Sequence, residues 1–207
     1  MLIRKKGTPL LGTGRISYYV YMNKEELRAL YRQIRLRMSK GEVSSKSRII
    51  SRKLLNDLTW SKYKKVCVFK PIAQLNEVDT RGIVSRLEAQ GIKVTKLSSQ
   101  KQTEVPNEKF DLILVPCLAY DAFNHRLGWG GGWYDKFLAS QPQAVKIGLC
   151  FSSGFARGGL PIGPYDVKLD LIVTDEMLIY RKQRVYIILY KIKAVKTAKL
   201  FWLCMHK

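Results

Sequence analysis

The chain has 207 residues, of which 46% are hydrophobic and 26% charged, a composition typical of one globular domain with a sizeable core. It contains no run of about 18 apolar residues, so the sequence predicts no membrane span, and its basic start lacks the apolar segment of a signal peptide. The four cysteines are widely separated and only two histidines are present, which argues against a zinc cluster. We therefore expect buried, reduced thiols and a cytoplasmic protein.

The net charge of +21 first suggests a nucleic-acid-binding protein. However, all sixteen acidic residues lie between Glu25 and Glu176, while the acid-free ends 1–21 and 181–207 hold twelve lysines and arginines. The segment between the ends therefore carries only about +9. This distribution favours an enzyme that handles anionic substrates. Nucleic-acid binding stays as an alternative, because the tail places aromatic residues among its lysines: Tyr186, Tyr190, Phe201 and Trp202.

The two ends differ from the middle of the chain in pattern as well as in charge. Residues 1–21 show neither a helical nor a strand period, and we predict a basic disordered extension, with a mitochondrial transit peptide as the alternative. Residues 22–184 are predicted to form the catalytic domain. Residues 185–207 form a basic tail that fits an extra strand, an amphipathic helix or an unstructured end.

The first predicted helix spans residues 23–38. Its apolar residues recur at helical spacing and share one face: Leu27, Leu30, Tyr31, Ile34 and Met38. Its basic residues fall within about 80° of each other on the adjacent face: Lys24, Arg28, Arg32 and Arg35. Such a basic face is either a ligand-binding surface or simply a solvated one.

Strands and helices alternate through the rest of the domain. Buried strands are predicted at Lys65–Phe69, Ile92–Leu97, Asp111–Val115, Lys146–Phe151 and Leu169–Thr174. Further helices are predicted at Val43–Asp57, from a Thr80 cap to a stop at Gly91, and at about Trp133–Ser140. The alternation predicts an α/β protein with three α/β/α layers and a mostly parallel, Rossmann-like sheet.

The segment from Arg126 to Asp135 reads Arg-Leu-Gly-Trp-Gly-Gly-Gly-Trp-Tyr-Asp and separates a buried strand from a helix start. Glycines allow backbone N–H groups to surround an oxyanion, and a helix start adds further free N–H groups. Arg126 can contact phosphate, and Asp135 can cap the helix or bind magnesium. The pattern matches neither a Walker loop nor the dinucleotide fingerprint. A tight structural turn stays open as an alternative, as does a methyltransferase-type loop.

This motif, together with Val115-Pro-Cys-Leu-Ala-Tyr-Asp121 before it, resembles the signature of 5-formyltetrahydrofolate cyclo-ligases. The resemblance covers about residues 22–180. Further similarities to that family lie in the basic helix, in Glu77–Thr80 and in the segments Leu160-Pro161, Tyr165-Asp166 and Ile172–Asp175.

The resemblance implies an ATP- and Mg²⁺-dependent conversion of 5-formyltetrahydrofolate to 5,10-methenyltetrahydrofolate, without an enzyme nucleophile. Catalysis would then rest on positioning and charge neutralisation. The implied phosphate-binding and catalytic residues are Lys24, Arg28 and Arg126. The ATP site would also include Leu127, Gly128, Trp129, Gly130, Gly131, Gly132, Trp133 and Tyr134. Asp135 and Asp175 would bind magnesium, and the substrate would contact Ile72, Glu77, Trp129 and Trp133. We expect a small-molecule substrate, no membrane or nucleic-acid partner, and a monomer or weak dimer.

Two features depart from the family pattern, and both lie on the folate side. The segment 98–110 is short and has no Trp or Tyr, and Gly154 stands where the family often has Gln. A second hypothesis is therefore a nucleotide-binding relative with altered or lost folate specificity. This hypothesis predicts ATP binding together with weakened folate binding.

Overall fold

The computed structural model describes residues 22–98 and 105–181 and the backbone of 188–189. Within these residues the helices are α1 (Lys24–Leu36), α2 (Lys40–Asp57), α3 (Arg81–Ala89) and α4 (Trp133–Ala139). The strands are β1 (Lys65–Phe69), β2 (Lys93–Leu97), β3 (Leu112–Pro116), β4 (Ala119–Tyr120), β5 (Arg126–Leu127), β6 (Val145–Leu149), β7 (Leu171–Val173), β8 (Leu178–Tyr180) and β9 (Ile188–Leu189).

Seven of the described strands form one sheet in the order β2-β1-β3-β6-β7-β8-β9, and β4 and β5 form a separate hairpin. The first five strands in that order are parallel, while β8 and β9 are antiparallel to their neighbours. The parallel part has the strand order of flavodoxin-like, doubly wound sheets. In such sheets ligands bind beyond the carboxyl ends of the strands, at the point where the order reverses. Here that point lies between β1 and β3.

Side chains that alternate along the strands pack into two apolar cores, one on each face of the sheet. Leu112 and Leu114 of β3 pack with α2 and α3, whereas Ile113 and Val115 pack with α4 on the opposite face. All four side chains are fully buried, as expected for a central strand covered on both faces. The predicted three-layer α/β/α architecture is therefore confirmed.

Helix α1 lies outside these layers and packs on the β4–β5 hairpin. Asn23 and Glu26 form a capping box at its start. Leu27 and Tyr31 are buried against the hairpin residues Leu118 and Leu127. The same packing places the basic face of α1 against the segment that follows β5.

The structure differs from the predicted elements mainly where the elements are short. Thr80 precedes α3 but does not cap it with its side chain, and its hydroxyl donates to the carbonyl of Phe69. Gly91 ends α3 in the left-handed region (φ 76°), as predicted. Strands β4, β5 and β8 were not predicted, since two or three residues are too few to show a period. Strand β9 lies in the tail 185–207, for which an extra strand was one of the three alternatives.

Several predictions concern parts of the chain with little or no structural description. The extension 1–21 and most of the tail 185–207 lie outside the described residues, as do residues 99–104 of the short segment.

Cys67, Cys117 and Cys150 are buried free thiols, as predicted. No described helix combines the length and apolar content needed to cross a membrane.

Candidate functional site

A large cavity opens at the point where the strand order reverses. Ile72 and Leu75 follow β1, and Pro116 ends β3, so the cavity lies beyond the carboxyl ends of these two strands. Its volume of about 930 Å³ is at the upper end of the usual range for ligand sites. The remaining walls come from Arg28 of α1 and from two segments: the glycine loop with α4 (residues 126–139), and a rim segment (residues 160–167) that contributes Pro164, Tyr165, Asp166 and Val167.

The glycine loop, Gly128–Gly132, presents unpaired backbone donors. From Gly128 to Asp135, no backbone N–H group makes a hydrogen bond to another described residue. The first N–H after this run that is bonded belongs to Lys136, which donates to the carbonyl of Gly132. The loop supplies most of this donor array, because Gly128–Gly132 precede α4 and only Trp133, Tyr134 and Asp135 belong to its first turn. Successive free N–H groups around a concave surface form an anion-binding arrangement.

Two loop positions require glycine. Gly130 has φ 115° and Gly132 has φ 65°, conformations that L side chains rarely adopt. In addition, a Cβ at Gly130 would lie 3.5 Å from Cζ of Arg28. The Arg28 guanidinium is therefore packed against the loop, and its Nε donates to the carbonyl of Gly128 at 3.1 Å. No other described protein group accepts from Arg28, so its terminal nitrogens are available to a ligand.

Arg126 lines the same cavity, but its guanidinium is already engaged. One terminal nitrogen donates to the carbonyl of Val167 at 2.7 Å and the other to Oδ1 of Asp135 at 2.8 Å. Its side chain is only 4% exposed. Arg126 thus ties the rim segment to the start of α4, and it contributes positive charge near the loop.

The rim segment is held from α1. Lys24 forms an ion pair with Asp166, whose carboxylate also accepts from the backbone N–H of Gly163. Burial alone would raise the pKa of Asp166, but these two donors outweigh it and hold the pKa below its usual value. Tyr165, which directly precedes Asp166, lines the cavity and is 85% exposed.

Aromatic side chains form much of the cavity wall. Trp133 stacks on Phe137 with ring centroids 5.1 Å apart and meets Tyr134 edge-on at 5.0 Å. The indole N–H of Trp133 and the hydroxyl of Tyr134 are buried without a partner among the described residues. Burial raises the pKa of Tyr134 well above its usual value, so its hydroxyl stays protonated.

Comparison with known proteins agrees with this geometry. A sequence model of the 5-formyltetrahydrofolate cyclo-ligase family matches residues 91–175. The 5-formyltetrahydrofolate cyclo-ligase of Mycoplasma pneumoniae is 32% identical over 169 residues, covering 75% of this chain and 100% of that protein. The chain belongs to the 5-formyltetrahydrofolate cyclo-ligase family. Members of this family are ligases that convert 5-formyltetrahydrofolate to 5,10-methenyltetrahydrofolate with ATP.

Two further comparisons cover most of the chain. A solved 5,10-methenyltetrahydrofolate synthetase from Mycoplasma pneumoniae superposes with a TM-score of 0.64 at 30% identity, covering 75% of this chain and 100% of that one. A probable 5-formyltetrahydrofolate cyclo-ligase from Schizosaccharomyces pombe is 24% identical over 200 residues, covering 76% of this chain and 98% of that protein. The family resemblance seen in the motifs therefore extends through the whole fold.

Most of the cyclo-ligase residues predicted from sequence meet in the cavity. Its lining includes Arg28, Ile72, Arg126, Gly128, Trp129, Gly130, Gly131, Gly132, Trp133, Tyr134 and Asp135. Leu127 is the exception within the motif, because it is 2% exposed and packs in the core under α1. Lys24 does not line the cavity either and acts through its ion pair with Asp166.

The two predicted magnesium ligands lie in different surroundings. Asp135 lines the cavity, and its Oδ1 accepts from Arg126 and from the backbone N–H of Val167. Asp175 is not part of the cavity lining, and both its oxygens accept from Ser152 while Lys46 lies 3.2 Å away. The described residues contain no cluster of three or more metal-ligating side chains. The structure therefore separates the two acids by environment, and only Asp135 faces the cavity.

Glu77 is also absent from the cavity lining. It is 4% exposed, and its two oxygens accept from the backbone N–H of Ile72 at 2.8 Å and from the indole N–H of Trp129 at 3.0 Å. Burial raises its pKa, an effect partly offset by these two donors and by the nearby Arg35. In this structure Glu77 accepts hydrogen bonds from two residues that line the cavity, Ile72 and Trp129.

Gly154 is required by local packing. A Cβ at this position would lie 2.7 Å from Sγ of Cys150 and 2.9 Å from the carbonyl of Leu118. With this backbone, a larger side chain at position 154 has no room, because Cys150 and Leu118 already fill the space beside Gly154.

Sequence reasoning missed three polar residues of the cavity. Lys136, Tyr165 and Asp166 all line it, yet none was given a role. Tyr165 and Asp166 belong to a segment already recognised as similar to the family, which was the available signal. Lys136 directly follows the motif, and nothing in the sequence distinguishes it from the many other lysines of this basic chain.

Proposed function

We propose that this chain uses ATP and Mg²⁺ to cyclise 5-formyltetrahydrofolate in the cavity between the glycine loop and the rim segment. The observation that carries the proposal is the run of backbone N–H groups from Gly128 to Asp135 that make no hydrogen bond to any described residue. Such an array binds a phosphate chain through the backbone and does not depend on particular side chains. Arg28 lies beside Gly130, and its terminal nitrogens donate to no described residue, so it adds charge-assisted hydrogen bonds to the same phosphates.

The reaction requires that the enzyme position ATP and the folate, and it requires no enzyme nucleophile. The formyl oxygen of the substrate attacks the γ-phosphorus of ATP, and ADP leaves. N10 of the folate then attacks the formyl carbon, whose oxygen now carries the phosphoryl group. The bond from this carbon to the phosphorylated oxygen breaks, inorganic phosphate departs, and N10 loses its proton as the five-membered ring closes. Negative charge spreads over the transferred phosphoryl group in the first step, so the loop N–H groups and Arg28 stabilise the transition state.

The residues present fit a magnesium ion that is bound mainly through ATP. Asp135 lines the cavity, and its Oδ2 accepts no hydrogen bond from any described residue. Mg²⁺ commonly takes one or two carboxylates and completes its shell with phosphate oxygens and water. We propose Asp135 as the protein ligand, where the ion would neutralise phosphate charge. Asp175, with both oxygens engaged away from the cavity, is not part of this proposal.

The folate would occupy the aromatic part of the cavity. Trp129, Trp133 and Tyr165 line it, and flat rings gain about 0.5–1.5 kcal/mol for each well-placed aromatic contact beyond their buried area. Ile72 provides an apolar wall on the side of β1. These side chains supply ring contacts that the short segment 98–110 lacks, which favours retained folate binding over the lost-specificity alternative.

The direct test is the absorbance of methenyltetrahydrofolate formed from 5-formyltetrahydrofolate, measured with and without ATP. Arg28→Ala is expected to lower kcat/KM about tenfold to hundredfold, through both kcat and the KM for ATP, because it removes a charge-assisted contact to phosphate groups in the bound state and in the transition state. Arg28→Lys keeps the charge but loses the planar guanidinium, so its kcat/KM is expected to lie between those of the unmodified chain and Arg28→Ala.

Arg48→Ala is the matched control, because Arg48 is an exposed arginine on α2 outside the cavity. It should leave kcat/KM unchanged. An ATP-independent reaction, or an equal loss in the Arg28 and Arg48 variants, would contradict the proposed function.

A further inference from the structure

Tyr165 lies at the tip of a tight turn in the rim segment. The backbone N–H of Asp166 donates to the carbonyl of Gly163 at 3.2 Å, which closes a β-turn over residues 163–166. Pro164 takes the second position, where its fixed φ favours such a turn, and Tyr165 takes the third. The carboxylate of Asp166 also accepts from the backbone N–H of Gly163 at 2.8 Å. The backbone that carries Tyr165 is therefore well defined.

The chain that follows this turn is attached to the phosphate side of the cavity. The backbone N–H of Val167 donates to Oδ1 of Asp135 at 3.2 Å, and the carbonyl of Val167 accepts from Arg126 at 2.7 Å. Asp135 belongs to the first turn of α4, directly after the glycine loop. These contacts hold the turn with Tyr165 beside the part of the cavity to which the proposed function assigns the γ-phosphate.

The side chain of Tyr165, in contrast to its backbone, is not held by the protein. It is 85% exposed, and it makes no hydrogen bond or ring contact with another described residue, whereas Trp133 stacks on Phe137. Nevertheless Tyr165 lines the cavity. A side chain that lines a cavity while most of its surface contacts water lies at the opening, so a bound ligand would bury its ring.

The reaction passes through an intermediate that water can destroy. After ADP has left, the formyl oxygen carries the phosphoryl group until N10 attacks the formyl carbon. A water molecule that attacks the phosphorus first breaks the bond between phosphorus and the formyl oxygen. This returns 5-formyltetrahydrofolate with inorganic phosphate and a proton, so that ATP and water have become ADP and phosphate without ring closure. Enzymes prevent such side reactions by excluding water from the closed site.

We propose that Tyr165 covers the opening of the cavity over the bound substrates and keeps water away from the phosphorylated intermediate. The proposal rests on the proposed function of the cavity. The ring of Tyr165 provides this cover, because a flat aromatic side chain packs well on the rings of a folate. Tyr165 therefore controls how much ATP is consumed for each product formed, a quantity that is separate from the stability of the fold.

The experiment measures ADP and methenyltetrahydrofolate in the same reaction of the full chain, with ATP and 5-formyltetrahydrofolate both saturating. The unmodified chain is expected to form ADP and product in equal amounts. Tyr165→Ala should raise the ratio of ADP to product about threefold or more, because water reaches the intermediate before the ring closes. Tyr165→Phe keeps the ring and should show the ratio of the unmodified chain. Because the side chain of Tyr165 is exposed, both variants should fold normally.

Ile162→Ala is the matched control, because Ile162 is 61% exposed in the same rim segment but does not line the cavity. Its ratio of ADP to product should equal that of the unmodified chain. A further control omits 5-formyltetrahydrofolate. The excess ADP of Tyr165→Ala should then disappear, since the phosphorylated intermediate cannot form without the folate.

The proposal is overturned if Tyr165→Ala still forms ADP and product in equal amounts, even where its KM for the folate rises. It is equally overturned if Tyr165→Phe or Ile162→Ala raises the ratio as much as Tyr165→Ala, or if the excess ADP forms without the folate. Failure of the proposed function is a distinct result, because the unmodified chain itself would then form no methenyltetrahydrofolate with ATP.

Discussion

At the residue scale, neighbouring glycines of the loop face different backbone demands. Gly130 has φ 115° and lies against Arg28, whereas Gly131 has an ordinary φ, and a Cβ there would meet nothing within 4 Å. The sequence shows both as members of the same glycine run. Only the structure distinguishes the position that needs glycine for its conformation from the one that does not.

This difference predicts the effect of alanine at each position. Gly130→Ala should lower the free energy of unfolding by about 1–3 kcal/mol, because alanine is strained at that φ. Gly131→Ala should leave it nearly unchanged. Guanidinium denaturation of the two variants measures the difference, and equal stabilities would show that the loop backbone differs from the one described.

The unpaired hydroxyl of Tyr134 gives a second prediction at this scale. Tyr134→Phe removes a buried polar group that has no partner among the described residues, so the free energy of unfolding should rise by about 1 kcal/mol. Tyr31→Phe is the matched control, because the Tyr31 hydroxyl donates to the carbonyl of Phe155, and its loss should cost about 1 kcal/mol. A loss of stability in Tyr134→Phe similar to that in Tyr31→Phe would mean that the Tyr134 hydroxyl has a partner in solution.

Side-chain partners were the least predictable feature of the site. The helical spacing of Lys24, Arg28, Arg32 and Arg35 predicted one basic face, but not what it contacts. Arg35 proves to be buried, donating to the carbonyls of Cys117 and Leu118, while Arg28 and Arg32 hold the glycine loop. These partners come from residues about a hundred positions away, so local patterns carry no information about them.

At the element scale, regular elements followed their local signals closely. The predicted bounds of β1 match the structure, and α2 starts three residues before the predicted Val43 because Ser39 and Glu42 form a capping box there. The rim segment has no helix or strand. Its shape depends on the ion pair between Lys24 and Asp166, a tertiary contact that sequence periodicity does not reveal.

The rim segment should therefore loosen in acid. Because the folded-state pKa of Asp166 lies below its unfolded value, its stabilising effect is present above about pH 4 and is lost as the pH falls through the folded-state pKa. Denaturation midpoints measured from pH 7 to pH 3 should fall less steeply for Asp166→Asn than for the unmodified chain. Parallel curves would contradict the ion-pair account of this segment.

At the scale of the whole molecule, the strand order fixes where the site lies. Strands β1 and β3 meet where the order reverses, and the cavity opens beyond their carboxyl ends. The alternation of strands and helices predicted this sheet and the motif predicted the loop. The contacts that link the loop to the β1 side could not be predicted, because they run through Glu77, which is distant from the loop in sequence.

The central claim is that the backbone N–H groups of the glycine loop bind the phosphates of ATP. The most direct measurement follows the amide ¹H–¹⁵N resonances of Gly128, Gly130, Gly131 and Gly132 by NMR during addition of adenylyl imidodiphosphate, and separately of inorganic tripolyphosphate. We predict that these resonances shift downfield and saturate with both ligands, because both carry the phosphate chain. Loop resonances that stay in place while the nucleotide binds and shifts residues elsewhere would contradict the account.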